Sequence, residues 1–273
     1  MRHPRQYRIL PKAGVELLTA SYRAQRFVPH THDYAVLATT ESGEAIGSGP
    51  SGIDHFLAGC VLLIPPNVVH AAQVLGSSPW EYRALYLSRQ QYETIAAPAL
   101  RPGVAATSVV HRDPLLAKRV REMHHDLEAA GDCDGALSAL AGLMTELAPV
   151  VERAHAPRRI ARHATTDAVA RAKAMIDAEP ERRWSLPELA TACAVSPFHL
   201  CRAFTGQLGA SPYAYALQRR VDSARAMLRT NRTISSVAHD LCFADHSHFT
   251  RAFVQVFGMS PNEYRAAVRR NAG

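Results

Sequence analysis

The chain has 273 residues, 47% apolar and 20% charged, which is enough for two ordinary globular domains and excludes a disordered chain. No stretch approaches the roughly 20 uninterrupted apolar residues that a membrane span needs, and Arg2, Arg5 and Arg8 are followed by no apolar run, so no signal peptide is expected. The net charge of +7 is unevenly placed, with 14 Lys and Arg against 15 Asp and Glu in residues 1–157 but 17 against 9 in residues 158–273, which points to a polyanionic partner for the second part.

The first hundred residues read as strands and turns. Val15–Ala20, Tyr34–Thr39, Val61–Ile64 and Arg83–Leu87 are short apolar runs. Between them stand Gly43, Gly47-Ser-Gly-Pro-Ser-Gly52, Pro65-Pro66-Asn67 and Gly76-Ser-Ser-Pro79, and short strands with this punctuation predict a barrel or sandwich. Two helices come next. Leu116, Val120, Met123 and Leu127 form one seam, and Leu137, Leu140, Met144, Leu147 and Val151 another, both at steps of three and four. Asp113-Pro114 opens the first. The seams can pack on the barrel or on a second copy of the chain, and a homodimer through Pro114–Val151 is expected. His124 and His125, adjacent on a helix, point about 100° apart and are expected at the surface.

Ala154 to Thr165 is polar, basic and interrupted by Pro157, and reads as a linker. The remainder is helical and repeats itself. Arg202-Ala-Phe204 recurs as Arg251-Ala-Phe253, Gly209-Ala-Ser-Pro212 as Gly258-Met-Ser-Pro261, and Tyr215 as Tyr264, each 49 residues on. Each copy has the anatomy of a helix-turn-helix. In the first, Ser185 caps a short helix, Ala194-Val195 makes the turn, Ser196-Pro197 opens a second helix with Leu200 and Phe204 inward, and Gly209 ends it. In the second, Thr233 and Asp245 are the caps, Cys242-Phe243 the turn, and Gly258 the stop. An α-helix fits the major groove of DNA, so the outward residues of the two second helices are the candidate readers. They are Phe198, His199, Cys201 and Arg202, then His246, Ser247, His248 and Arg251. One molecule reading two adjacent groove segments needs these helices roughly 34 Å apart.

Ile234-Ser-Ser-Val-Ala238, Cys242-Phe-Ala-Asp-His-Ser-His-Phe249-Thr-Arg-Ala-Phe253 and Phe257-Gly-Met-Ser-Pro-Asn-Glu-Tyr264 closely resemble the signature of the AraC/XylS regulators. The resemblance implies a DNA-binding domain over residues 166–273, after a linker at 156–165. It also implies DNA contacts at Phe198, Cys201, Arg202, His246, Ser247, His248 and Arg251, although Phe198 and Cys201 depart from the usual polar readers. More weakly, Pro29-His-Thr-His-Asp33 and Gly59-Cys-Val-Leu-Leu-Ile-Pro-Pro-Asn-Val-Val-His70 resemble the two motifs of a cupin barrel. That likeness implies an effector-sensing and dimerising domain over residues 1–155. The fold expected is therefore α+β and multidomain, a cupin-like β-barrel with a helical segment, then an all-α domain with two helix-turn-helix units.

His30, His32, Tyr34, His70, Tyr82 and Arg83 are the candidate effector contacts. His30, His32 and His70 are also candidate ligands for Zn, Fe or Ni, HxH on a strand placing two imidazoles on one face. The carboxylate that metal-binding cupins carry five residues after the second His is replaced by Leu37, and Asn67 stands at a usual Gly. The function read from these features is a cytoplasmic, effector-controlled transcription regulator with no required cofactor. Its partners are double-stranded DNA, a small molecule and, for an activator, RNA polymerase. The alternative is a metal-dependent cupin enzyme with a helical appendage. A regulator that accepts alkyl groups on a cysteine needs a cluster of thiols, and among Cys60, Cys133, Cys193, Cys201 and Cys242 only Cys60 lies in the first 130 residues. Their odd number and the lack of a CxxC pair fit reduced thiols.

Overall fold

A computed structural model describes residues 6–10, 14–49, 52–100, 108–130, 135–154 and 164–270. Most of the chain up to Ala156 forms one compact unit, and most of the remainder forms a second.

Among the described residues, the chain up to Arg112 holds ten strands, β1 (Gln6–Leu10), β2 (Val15–Tyr22), β3 (Arg26–His30), β4 (Ala35–Ser42), β5 (Glu44–Gly49), β6 (Gly52–Phe56), β7 (Cys60–Ile64), β8 (His70–Leu75), β9 (Trp80–Leu87) and β10 (Val109–Arg112). They form two sheets, ordered β1-β2-β9-β4-β7-β10 and β3-β8-β5-β6. The barrel expected from the sequence is thus two antiparallel sheets that do not close into one. The four apolar runs of the sequence fall on β2, β4, β7 and β9.

β4 and β9 lie at the centre of the larger sheet, where both faces are covered. β4 opens on the apolar run Ala35-Val-Leu-Ala38, whereas β9, Trp80-Glu-Tyr-Arg-Ala-Leu-Tyr-Leu87, sets Glu81 and Arg83 between its aromatic residues. On one face Val15, Leu17, Ala35, Leu37, Val61, Leu63, Leu85 and Leu87 pack against three helices, α1 (Arg89–Ala96), α2 (Pro114–Ala130) and α3 (Ala136–Ala154). Helix α1 went unread in the sequence, and its inward residues Tyr92, Ile95 and Ala96 hold a helical spacing. The seams of α2 and α3 face the same core. Leu116, Val120, Leu127, Leu140, Met144, Leu147 and Val151 are all buried within it. The side chains expected to form a dimer seam therefore serve the unit's own interior.

The second unit is helical, as the sequence implied. The described residues from Ala164 on form α4 (Ala164–Ala178), α5 (Leu186–Ala192), α6 (Pro197–Leu208), α7 (Pro212–Leu228), α8 (Ile234–Asp240), α9 (His246–Phe257) and α10 (Pro261–Arg270). Nearly all of the linker lies outside the described residues.

Candidate DNA interface and effector pocket

Successive strand residues point to opposite faces, and β9 shows the consequence. Tyr82 stacks on Trp80 at 4.3 Å and on Tyr22 of β2 at 5.8 Å, and Trp80 stacks in turn on Phe56 at 5.9 Å. Phe56 belongs to the smaller sheet, so the even residues of β9 face the space between the sheets. Trp80 Nε1 donates to Thr40 Oγ1 at 3.1 Å, and Tyr34 meets Tyr86 edge-on at 5.3 Å. Burial, reinforced by the neighbouring phenols Tyr22 and Tyr86, holds the Tyr82 hydroxyl well above its ordinary pKa.

Arg83 points the other way. It pairs with Glu41 at 2.7 Å and with Glu128 of α2 at 3.0 Å, and donates to Thr19 Oγ1 at 3.0 Å. It is therefore separated by the sheet from Tyr82, with which the sequence had grouped it. His124 belongs to the same polar cluster. It is fully buried on α2 with Arg83 Nη1 3.4 Å from its Nδ1, contrary to the expectation that it is a surface residue. The signal was present, since His124 lies four residues after Val120 and three before Leu127, in phase with the seam. His125, about 100° round the helix, is exposed.

The three candidate ligand histidines come together by a route other than the one expected. His30 ends β3, while His32 lies in the following loop, so the two are not a strand pair. His70 opens β8, the neighbour of β3 in its sheet. One ring nitrogen of each of the three lies within 4.8 Å of the others. His30 Nδ1 is 2.7 Å from the Val28 carbonyl and His70 Nδ1 is 3.0 Å from the Val68 carbonyl. A carbonyl only accepts, so each Nδ1 carries the proton and Nε2 is the basic nitrogen of the neutral ring. Burial lowers His30 to about 4, against the raising effect of its bond to Val28, so this ring is neutral at pH 7. Leu37 is in the helix-facing core, so no carboxylate reaches the histidines from that position. Asn67 has φ 61°, the left-handed conformation that Asn tolerates better than most residues, which explains its use where a Gly is usual.

In the helical unit the sequence's caps are all present. Ser196 Oγ accepts the His199 N–H at 3.2 Å, and Asp245 Oδ1 accepts the His248 N–H at 2.6 Å, a bond that holds the Asp245 carboxyl below its usual range. Gly209 and Gly258 close α6 and α9 at φ 70° and 67°. Both turns pass through the left-handed region at non-glycine residues, Ala194 at 56° and Cys242 at 54°. Leu200, Phe204, Phe249 and Phe253 are buried and anchor the two helices. Phe198, His199, Arg202, His246, Ser247 and Arg251 are exposed, and Cys201 and His248 are half-buried, the His248 ring resting edge-on against Phe243 at 5.3 Å.

Sequence reasoning missed the side chain that braces the second turn. Arg220 of α7 is buried, lies 5.2 Å over the Phe243 ring, and donates to the Cys242 carbonyl at 3.2 Å. Burial lowers its pKa from the ordinary arginine value. An apolar helix face with an Arg in its midst was the only available sign.

Two family models match the chain, one for an AraC-like ligand binding domain over residues 12–144 and one for a helix-turn-helix domain over residues 189–267. The chain belongs to the AraC family of transcription regulators. Members of the AraC family pair a DNA-binding domain with a ligand-binding domain, and both are present here. The arabinose operon regulatory protein of Salmonella typhimurium is 26% identical over 219 residues, 76% of this chain and 75% of that protein. An AraC-like regulator of Streptomyces lividans is 35% identical over 98 residues, 36% of this chain and only 32% of that protein. ToxT of Vibrio cholerae O395 shares the fold at 13% identity and a TM-score of 0.60, over 92% of this chain and 98% of ToxT. A structure of ToxT bound to an unsaturated fatty acid matches with a TM-score of 0.59 and 13% identity, over 97% of each chain. No helix among the described residues is long and apolar enough to cross a membrane.

Proposed function

We propose that α6 and α9 read two segments of a DNA duplex in sequence, and that a small molecule held between the two sheets controls the outcome. The observation that carries this reading is the duplicated helix-turn-helix, whose His and Arg side chains recur 49 residues apart in the basic half of the chain. Residues 166–273 form the DNA-binding domain, residues 1–155 the sensing domain, and residues 156–165 their linker. His30, His32, Tyr34, His70 and Tyr82 are the effector contacts, while Arg83 fastens α2 to the sheet. ToxT was solved with a fatty acid. Here the aromatic row and the histidine cluster favour a ligand with an apolar or planar body and a polar end.

The histidine triad also fits a divalent Zn, Fe or Ni ion. The donor set is three imidazoles, two of them oriented by a carbonyl on Nδ1. The three ring nitrogens, all within 4.8 Å of one another, are close enough for one ion to be held among them. His30, His32 and His70 would hold such an ion, which would supply a positive charge to attract an anionic end of the effector.

The protein works in the cytoplasm as a regulator, not as an enzyme, and meets RNA polymerase when it activates. It forms a homodimer through the outer faces of α2 and α3, where Leu115 is 75% exposed and Arg119, Met123, Ala139 and Gly142 line a groove of about 410 Å³. The decisive experiment is a mobility-shift titration of the full chain against duplexes selected from random sequence, with and without candidate effectors. Arg251→Ala should weaken the selected duplex by about 1–3 kcal/mol and relax specificity at one position. Equal binding to every duplex would refute the reading.

A further inference from the structure

The 49-residue repeat gives each of the four reader positions on α6 a counterpart on α9. His199 corresponds to His248 and Arg202 to Arg251, so both helices offer an imidazole and a guanidinium at the same places. The other two positions differ. Phe198 stands where α9 has Ser247, and Cys201 where it has Thr250. Residues three apart are neighbours on a helix surface, so each pair shares a face. On α9 that face carries the exposed hydroxyl of Ser247 beside half-buried Thr250, whose Oγ1 is shielded from solvent, and on α6 it carries the exposed phenyl ring of Phe198 beside the half-buried thiol of Cys201.

Phe198 is 75% exposed and takes no part in the core of its own unit, which is built from Leu200, Phe204, Trp184 and their neighbours. Its position is nevertheless well defined. Ser196 caps the helix and Pro197 precedes Phe198, which places the ring in the first turn, the part of a recognition helix that meets base edges. The apolar group that base edges present in the major groove is the C5-methyl of thymine. Hydroxyls, by contrast, meet the donors and acceptors of any base.

Given the DNA reading proposed for α6 and α9, we infer that α6 recognises thymine methyl groups through Phe198 and Cys201, whereas α9 reads its segment by hydrogen bonds. The two halves of the binding site therefore differ in chemistry, and the half under α6 requires thymine at one or two steps. A protein surface is the competing destination for an exposed Phe, but the surrounding charge favours DNA, since the half of the chain that carries Phe198 holds 17 Lys and Arg against 9 Asp and Glu.

The test uses the full chain and a duplex selected from random sequence, with the halves assigned by the bases protected in Arg202→Ala and Arg251→Ala variants. Thymine is replaced by uracil, which removes only the methyl, in one half at a time. Uracil under α6 should weaken binding about fourfold per contacted methyl, and uracil under α9 should change nothing. Phe198→Ser, which copies the α9 residue at a solvent-exposed position, should keep its circular dichroism spectrum and bind the thymine and uracil duplexes more nearly alike. Equal wild-type affinity for thymine and uracil under α6 would overturn the inference. So would a Phe198→Ser protein that retains full discrimination, or one that loses transcription activity with unchanged DNA affinity, the mark of a protein contact. Failure to select any duplex would instead remove the DNA reading on which the inference rests.

Discussion

Acid should loosen the sheet unit through one buried side chain. Burial, outweighing the attraction of Glu128 and assisted by the charge of Arg83, lowers His124 from 6.5 to about 4. The unfolded chain takes up a proton on this ring below about pH 6.5, while the folded one does not until about pH 4. Stability is therefore full above the unfolded value and falls as the pH drops toward the folded one. Between pH 7 and pH 5 the loss amounts to about 2 kcal/mol for this ring. His30, also lowered to about 4 by burial, adds a loss of similar size, so wild-type stability should fall by about 4 kcal/mol over the interval. His124→Gln keeps a polar side chain of similar reach and removes the titration, so its loss should be about half as large. Urea unfolding followed by Trp80 fluorescence in a Trp184→Phe background reports on the sheet unit, since the two tryptophans of the chain lie in different units. A wild-type midpoint that is flat from pH 7 to pH 5, or a His124→Gln slope equal to that of wild type, would refute the reasoning.

Single contacts lead to three further expected outcomes. A Cβ added at Gly47 would lie 2.0 Å from Phe56 Cζ, so Gly47→Ala should displace that ring from Trp80, destabilise the sheet unit by about 1–3 kcal/mol and shift the Trp80 emission, while an unchanged spectrum would contradict the Phe56–Trp80 stacking. Ser196→Ala should lower the stability of the helical unit by about 1 kcal/mol and Ser196→Asp should restore it, with thermal unfolding of both variants as the check. Arg220→Ala leaves the Cys242 carbonyl without its donor and the Phe243 ring without its cover, and should destabilise the same unit by about 3 kcal/mol; urea unfolding of that variant within about 1 kcal/mol of wild type would show that the turn stands alone.

The helical half was legible because its signals are local. Ser185, Ser196, Ser211, Thr233, Asp245, Gly209 and Gly258 each state a helix boundary within one turn of where it falls, and the structure places every one as cap or stop. The strand half was legible only where apolar runs are long, on the central strands β2, β4, β7 and β9. Short strands such as β3 and β6 carry Pro29, Asp54 and His55 and depend on partners far along the chain, which no local pattern shows. For the sites, the three histidines were found from their motifs, but the reason for their meeting is the adjacency of β3 and β8, a fact of topology. Arg83 was misplaced by reading it together with Tyr82, when parity along the strand already assigned them to opposite sides. Arg220 was invisible because a buried guanidinium is defined by the carbonyl and ring that receive it, and those lie more than 20 residues away.

The two-faced character of β9 restricts how this protein can change over generations. Its even residues line the proposed ligand chamber between the sheets and its odd residues carry the seat of α1, α2 and α3. Insertion or deletion of one residue within the strand would exchange the two sets at a stroke, delivering Arg83 into the chamber and Tyr82 into the helix seat. Lineages that acquire a new effector can therefore substitute even positions of β9 one by one, or lengthen its flanking turns, but they cannot slide the strand. Diversity in what the chamber accepts is thereby uncoupled from the helices that depend on the same backbone.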